Sequence, residues 1–337
     1  MDLIGIEMLK EPVQKQEIIN LLKIHYGIDV QSVQHLLLGA DANALVYRVD
    51  TGSHSYFVKI KYGNHEQTHI DILNLLHDAG INEIIFPIAT GEGKLFKQLK
   101  QFKMIVYPFI DGQNGFNQKL TKNQWIELGK TLKKVHSLSV PESIQQQLRK
   151  EIYSTKWRES VRSLHHKMEP DLSDDKITVE FKIFFNKHID SIYQLLNSAD
   201  NFARKIQPNP DNYVLCHSDI HAGNILITAD ESLYIVDWDD PMMAPKERDL
   251  MFIGGGVGNV WNSPQEINYF YEGYGVTNID NTILAYYRHE RIVEDIALFI
   301  QDILSTSHNN QSRSTMLGHF KSMFEPNGVV EIAFNTK

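Results

Sequence analysis

The chain has 337 residues, 42% of them hydrophobic, enough to bury a substantial core and to form two lobes or domains. Its 33 Lys and Arg against 42 Asp and Glu give a formal charge of −9, which argues against nonspecific nucleic-acid binding or adhesion to an anionic membrane and suits a cationic small molecule. A single cysteine, Cys216, excludes an intrachain disulfide and fits a cytoplasmic protein in which that residue is a small core side chain.

The first ten residues carry Asp2 and Glu7 and lack the basic start of a secretory signal. Residues 12–27 predict an amphipathic helix, with Ile18, Ile19, Leu22 and Tyr26 at helical spacing and Gly27 as its stop. Strands are predicted at 32–38, 45–50 and 56–60, a helix at 66–79 closed by Gly80, then strands at 84–87, 95–99 and 104–107. The longest clean apolar run, 104–110, is far below the roughly 20 residues that span a bilayer. Tyr107-Pro108-Phe109-Ile110-Asp111-Gly112 breaks the strand pattern with Pro and Gly. Beyond it the character turns helical. Residues 122–137 put Trp125, Leu128, Leu132 and Val135 on one face, and further helices are predicted at 142–166, 176–205, 264–274, 280–304 and 313–323. Hairpins occupy 213–240. The fold class is α+β.

Chemistry concentrates in the hairpins. After the apolar run Tyr213-Val214-Leu215-Cys216 comes His217-Ser218-Asp219-Ile220-His221-Ala222-Gly223-Asn224, and a second apolar run ends in Asp237-Trp238-Asp239. Asp and Asn are ordinary turn residues. Here, however, a strand, a loop and a hairpin deliver the parts that phosphoryl transfer requires. Asp219 can accept a proton from a substrate hydroxyl. Asn224 and Asp237 offer hard oxygen ligands of the kind Mg²⁺ takes beside phosphates. Lys59 sits in Tyr56-Phe57-Val58-Lys59-Ile60, opposite Val58 and Ile60 by strand alternation, where it can reach the α- and β-phosphates of ATP.

These residues resemble the aminoglycoside phosphotransferase family, relatives of the protein kinases, with His217-Ser218-Asp219 standing where kinases have His-Arg-Asp and Asp237-Trp238-Asp239 where they have Asp-Phe-Gly. The segments 244–250, 254–261 and 286–295 are similar to one subclass, the spectinomycin (aminoglycoside 9-) phosphotransferases. The resemblance implies a two-lobed kinase-like fold. Residues 1–107 would form the N-terminal nucleotide-binding lobe, 108–112 the hinge, and 113–337 the catalytic and substrate-binding lobe. It implies ATP and Mg²⁺ as cofactors and a small cationic aminocyclitol, spectinomycin, as acceptor. A choline, homoserine or methylthioribose kinase is the alternative. No nucleic-acid or membrane partner is expected, and the oligomeric state is open.

Further roles follow from the resemblance. Asp71, or Glu66 in the first turn of the same helix, would pair with Lys59. The loop 39–43, ending in Asn43, would cover the phosphates with backbone N–H groups. Pro108 and Ile110 would present backbone groups to adenine, and Pro108 has only its carbonyl to give. His217 would orient the loop and Asp249 would brace it. Asp239 either helps a second Mg²⁺ or faces water, and His221 faces substrate or solvent. Glu290 and Glu294 lie one helical turn apart. They form either an acidic wall for ammonium groups or part of a solvated helix in which Arg291 pairs with Asp295. Trp261 either adds an aromatic surface for the acceptor or packs in the core. Gly254-Gly255-Gly256-Val257-Gly258 lacks the lysine and Ser/Thr of a phosphate loop and follows no predicted strand.

Overall fold

The computed structural model describes residues 13–36, 44–62, 66–99, 102–168, 175–305 and 309–336, without the side chains of Tyr62 and Glu66. The chain divides into two compact units, Met1–Gln113 with Thr228–Asp239, and Asn114–Ile227 with Asp240–Lys337. The sequence reading assigned 228–239 to the C-terminal lobe; its contacts group it with the first unit.

Unit 1 opens with α1 (Lys15–Tyr26), ended by Gly27 at φ 67°, a left-handed position that suits a residue without Cβ. Strands β1 (Ser32–Leu36), β2 (Ala44–Asp50) and β3 (Ser55–Tyr62) follow, then α2 (Glu66–Asp78), β4 (Lys97–Leu99) and β5 (Phe102–Pro108). They form one antiparallel sheet in the order β1-β2-β3-β5-β4. Alternation drives Val58 and Ile60 into a core with Ile18, Leu22, Met104 and Val106, and leaves Lys59 on the other face. The register sets Lys59 opposite Ile105 and Tyr56 opposite Pro108. The strand expected at 84–87 shrinks to one parallel bridge, Ile84 to Ile235, with the Ile235 N–H donating to the Glu83 carbonyl at 2.7 Å. Pro87 has no N–H with which to extend a ladder.

After β6 (Gly112–Asn114), unit 2 is mainly helical: α3 (Lys122–His136), α4 (Glu142–Gln145), β7 (Arg149–Lys150), α5 (Lys156–Met168), α6 (Lys176–Lys187) and α7 (Ile189–Lys205). Then come β8 (Val214–Cys216) and β9 (Ile225–Thr228), followed by β10 (Leu233–Ile235) within the segment that belongs to unit 1; unit 2 resumes with β11 (Met242–Ala244), α8 (Glu247–Leu250), α9 (Pro264–Tyr274), α10 (Asn281–Leu304), α11 (Asn310–Ser322) and α12 (Val329–Asn335).

Two long helices of the sequence reading are broken. The one expected at 142–166 is interrupted by β7, which pairs in parallel with β11. It is interrupted again at Tyr153, which sits at φ 52° while the Glu151 carboxylate accepts the N–H groups of Ile152 and Tyr153. The one expected at 176–205 divides at His188 (φ −107°, ψ 13°) into α6 and α7. Helix α12 had no sequence counterpart.

Helix α10 organises the core of unit 2. Its Ile292, Val293, Ile296, Ala297, Ile300 and Ile303 pack against Val161 of α5, Phe181 and Phe185 of α6, Leu195 of α7 and Phe320 of α11. Helices α3 and α9 approach until backbone meets backbone. A Cβ on Gly129 would collide with the Phe270 carbonyl oxygen, and one on Gly273 with that of Ile126. Both helices start on capping boxes, Thr121 with Gln124 and Ser263 with Glu266.

Candidate active site

The loop after β8 is held from below by one buried carboxylate. Asp249 is fully buried, and its two oxygens accept the backbone N–H groups of His217 (2.9 Å) and Ser218 (2.7 Å). His136 braces Asp249 from behind, Nε2 to Oδ2 at 3.0 Å, with its Nδ1 2.8 Å from the Tyr274 hydroxyl. Burial alone would raise the Asp249 carboxyl, but the His136 bond and charge and the loop donors outweigh it and keep it ionised. His136, Cys216 and Asp249 stand close enough to grip an ion, yet both ring nitrogens of His136 are engaged and burial raises the Cys216 thiol well above its usual value. The trio is a brace, not a metal centre.

This brace holds Ser218 in the left-handed region, φ 74°, a costly conformation for a non-glycine residue that neighbouring structure must enforce. The next residue is Asp219, whose side chain remains 42% exposed. Its N–H donates to His217 Nδ1 at 3.2 Å, so His217, buried at 1% exposure, shapes the loop from within. The Asn224 amide donates Nδ2–H to the Asp219 carbonyl at 2.8 Å. That bond fixes the amide orientation and leaves Oδ1 with no protein donor among the described residues, as a metal ligand requires.

Two basic side chains face the Asp219 carboxylate. Arg291 Nη1 donates to Oδ1, and His221 Nε2 lies 3.5 Å from Oδ2. His221 Nδ1 accepts the Gly223 N–H at 2.9 Å, so the ring proton sits on Nε2 and points at Asp219. Burial pushes Asp219 up, but Arg291 and His221 outweigh it and hold the carboxyl well below the usual carboxylate range.

Unit 1 carries a separate charged set. Lys59 and Lys61 both donate to Asp239 Oδ2, the latter at 2.9 Å. Lys59 also lies 3.6 Å from Asp237 Oδ1. Burial would raise Asp239; Lys59, His69 and Lys61 outweigh it and hold the carboxyl below its ordinary value. His69 of α2 ties down the same segment, Nδ1 to the Trp238 carbonyl at 2.7 Å and Nε2 to the Tyr107 hydroxyl at 3.0 Å. Asp237 adopts φ 65° and leaves its carboxylate 53% exposed, with Lys59 as its ion-pair partner. The open Asp237 carboxylate of unit 1 and, in unit 2, the Asn224 Oδ1 without a donor among the described residues are each the kind of hard oxygen that Mg²⁺ takes.

The sequence profile of the phosphotransferase enzyme family, APH, matches residues 35–285. The chain belongs to this phosphotransferase family. Among solved structures, this family member is similar to spectinomycin phosphotransferase APH(9)-Ia in complex with ADP and spectinomycin. Identity there is 62% over 97% of this chain and 99% of that one, with a TM-score of 0.92. The AMP-bound complex of the same enzyme gives 60% identity, 97% and 100% coverage and a TM-score of 0.89. An amicoumacin kinase at 17% identity, covering 96% of this chain and 94% of its own, shares the kinase-like fold with a TM-score of 0.63. No curated protein matches.

Several expectations change in this phosphotransferase. Asp71 does not pair with Lys59; it accepts a bond from Gln67 at 2.8 Å on the exposed side of α2. Lys59 is neutralised instead by Asp239, which is therefore neither water-facing nor a free substrate ligand. The Glu66 side chain and the loop to Asn43 lie outside the described residues. Pro108 ends β5 and Ile110 follows it, both half-buried. Glu290 is 7% exposed and accepts from Arg158 at 2.6 Å, so it is closed to an acceptor. Glu294 differs: it is half-buried and has no hydrogen-bond or ion-pair partner among the described residues. Trp261, 5% exposed, packs edge-on to Trp125 with centroids 5.0 Å apart, which makes it core. In the glycine-rich segment, a Cβ on Gly258 (φ 68°) would strike the Phe116 ring, so glycine there answers packing rather than phosphate. Sequence reasoning missed His69 and the reach of Arg291 to Asp219.

Proposed function

We propose that this chain transfers the γ-phosphoryl group of ATP to the 9-hydroxyl of spectinomycin in the cytoplasm and thereby confers resistance to that antibiotic. The observation that carries the reading is the 62% identity, across 97% of the chain, to a spectinomycin phosphotransferase solved with ADP and spectinomycin. Among the described residues no helix is long and apolar enough to cross a membrane.

In this reading Asp219 receives the acceptor hydroxyl. Its carboxyl stays ionised because of Arg291 and His221, so it orients the hydroxyl first and takes the proton late, as suits a loose phosphoryl-transfer transition state. Lys59 balances negative charge on the nucleotide phosphates, with Asp239 fixing its ammonium. Asn224 and Asp237 would each offer Mg²⁺ an oxygen ligand, and the ion would supply neutralisation of phosphate charge. Pro108 and Ile110 offer backbone groups to adenine. Glu294 offers an unpaired carboxylate to an ammonium group of the acceptor. Burial raises its carboxyl despite Arg291 and Arg248, and an arriving cation would reverse that shift.

Spectinomycin-dependent ADP release, measured beside choline, homoserine and methylthioribose, tests the acceptor. Turnover with spectinomycin alone is expected; turnover with another alcohol and none with spectinomycin would reject it. Asp237→Asn retains a residue that tolerates the left-handed backbone. It is expected to raise the Mg²⁺ concentration needed for half-maximal activity while changing stability by no more than about 0.5 kcal/mol, since the side chain is exposed. A Mg²⁺ titration and a melt check both halves. Glu294→Gln is expected to raise the KM for spectinomycin and leave that for ATP alone, whereas Glu290→Gln should leave both constants unchanged. Equal behaviour of the two variants in acceptor kinetics would remove Glu294 from the site.

A further inference from the structure

Asp219 is held by a side chain from far along the sequence. Arg291, on α10, donates Nη1–H to Oδ1 of Asp219. The other edge of the same guanidinium is fixed by Asp295 one turn on, with Nε 3.0 and 3.2 Å from its two oxygens. The Phe252 ring lies 5.5 Å from Arg291 Cζ. The cavity beside Arg291 and Asp295 is only about 10 Å³, about the least that admits a water. The paired Asp295 carboxylate and the Phe252 ring therefore hold the guanidinium in place, with its charge directed at Asp219. Opposite it, the side-chain neighbour of Oδ2 among the described residues is the Nε2–H of His221, at 3.5 Å.

We propose that Arg291 is a positioning residue for the phosphoryl transfer. By occupying Oδ1 it stops rotation of the Asp219 carboxylate and makes Oδ2 the oxygen that meets the acceptor hydroxyl. In the transfer, the acceptor O–H bond breaks as its oxygen bonds to the γ-phosphorus. The proton passes to Oδ2, and the electron pair of the β–γ bridging P–O bond leaves with ADP. A carboxylate free to turn would spend much of its time with neither oxygen in line, and a misplacement of about 1 Å costs on the order of 10²-fold in rate. Removing the guanidinium also makes Asp219 more basic, which favours proton transfer. The two effects oppose each other, and the proposal is that loss of orientation prevails. The inference rests on Asp219 being the proton acceptor of the preceding section.

The test is steady-state and single-turnover kinetics with spectinomycin on the wild type, Arg291→Met, Arg291→Lys, Asp219→Asn and the Arg291→Met/Asp219→Asn double variant, each shown to be folded by its melt. Arg291→Met is expected to lower kcat by about 10²-fold with the KM for ATP unchanged. Arg291→Lys should recover part of that loss, because an ammonium makes one contact where the fork made two sets. In the Asp219→Asn background the Arg291→Met loss should vanish, since there is no carboxylate left to orient. Near-wild-type kcat in Arg291→Met would overturn the proposal, as would the same fold loss in both backgrounds. Should the Met variant not fold, the Lys variant is compared in the two backgrounds by the same criterion. A wild type that ignores spectinomycin but phosphorylates another alcohol overturns the acceptor assignment alone, and the Arg291 comparison is then read on that alcohol.

Discussion

Asp219→Ala is expected to lower kcat by about 10²–10⁴-fold, the range typical when a positioned proton acceptor is lost, with nucleotide affinity preserved. The reason is local. Asp219 sits on a loop whose backbone is pinned by Asp249 and whose neighbour Ser218 is held at φ 74°. These constraints concern the main chain, so they survive truncation of a side chain that is 42% exposed. The binding of ATP, assigned to Lys59 and its neighbours, does not pass through the lost group. Calorimetric nucleotide binding together with kcat separates the two, and a variant within threefold of wild type would remove Asp219 from the chemistry.

The second large effect is on stability. Arg158 of α5 is 1% exposed, and its guanidinium lies 2.6 Å from Glu290 and 2.9 Å from Asp200. It also donates to the Ser154 carbonyl at 3.1 Å. Arg158→Met fills much of the volume but strands a buried carboxylate, a change that costs about 3–5 kcal/mol. The penalty depends on pH, and the sign follows from Glu290. Burial pushes its carboxyl up from 4.5 to about 7 despite Arg158. The stability associated with its protonated form is thus complete below about 4.5 and is lost as pH rises through about 7. Without the guanidinium the carboxyl resists ionising still more, so the deficit should be small near pH 5 and large near pH 8. Urea unfolding at the two pH values measures it, and a deficit independent of pH would show that Glu290 is not the group left stranded.

The parts of the site that lie on continuous local motifs were legible in the sequence. A strand, a loop with Asp219 and Asn224, and an apolar run ending in Asp237 declare themselves through spacing, whereas strand alternation puts Lys59 and Lys61 on the same face and leaves the choice between them to the catalytic loop downstream. What was not legible depends on which distant side chain arrives. The family resemblance points to α2, at Asp71 or Glu66, for the partner of Lys59. The partner is Asp239, 180 residues away, and nothing in local periodicity records that pairing. Arg291 was read as an i,i+4 partner of Asp295, which it is, but its other edge reaches a loop 72 residues upstream. The fold shows the same division. Helices α9 and α10 have their own caps and faces and were found nearly to the residue. The helix expected at 142–166 failed because β7 follows its partner strand rather than its own helical propensity.

The glycine pair where α3 meets α9 carries a warning for protein engineers. Replacing helical glycine by alanine is a standard way to harden an enzyme, because it narrows the unfolded ensemble by about 0.4–1 kcal/mol per site. At Gly129 and Gly273 the added methyl group would have to pry two rods apart, and one of those rods carries His136, through which Asp249 is steadied. A thermostabilised variant designed from helix propensity alone would thus lose both its rigidity and its turnover at those two positions.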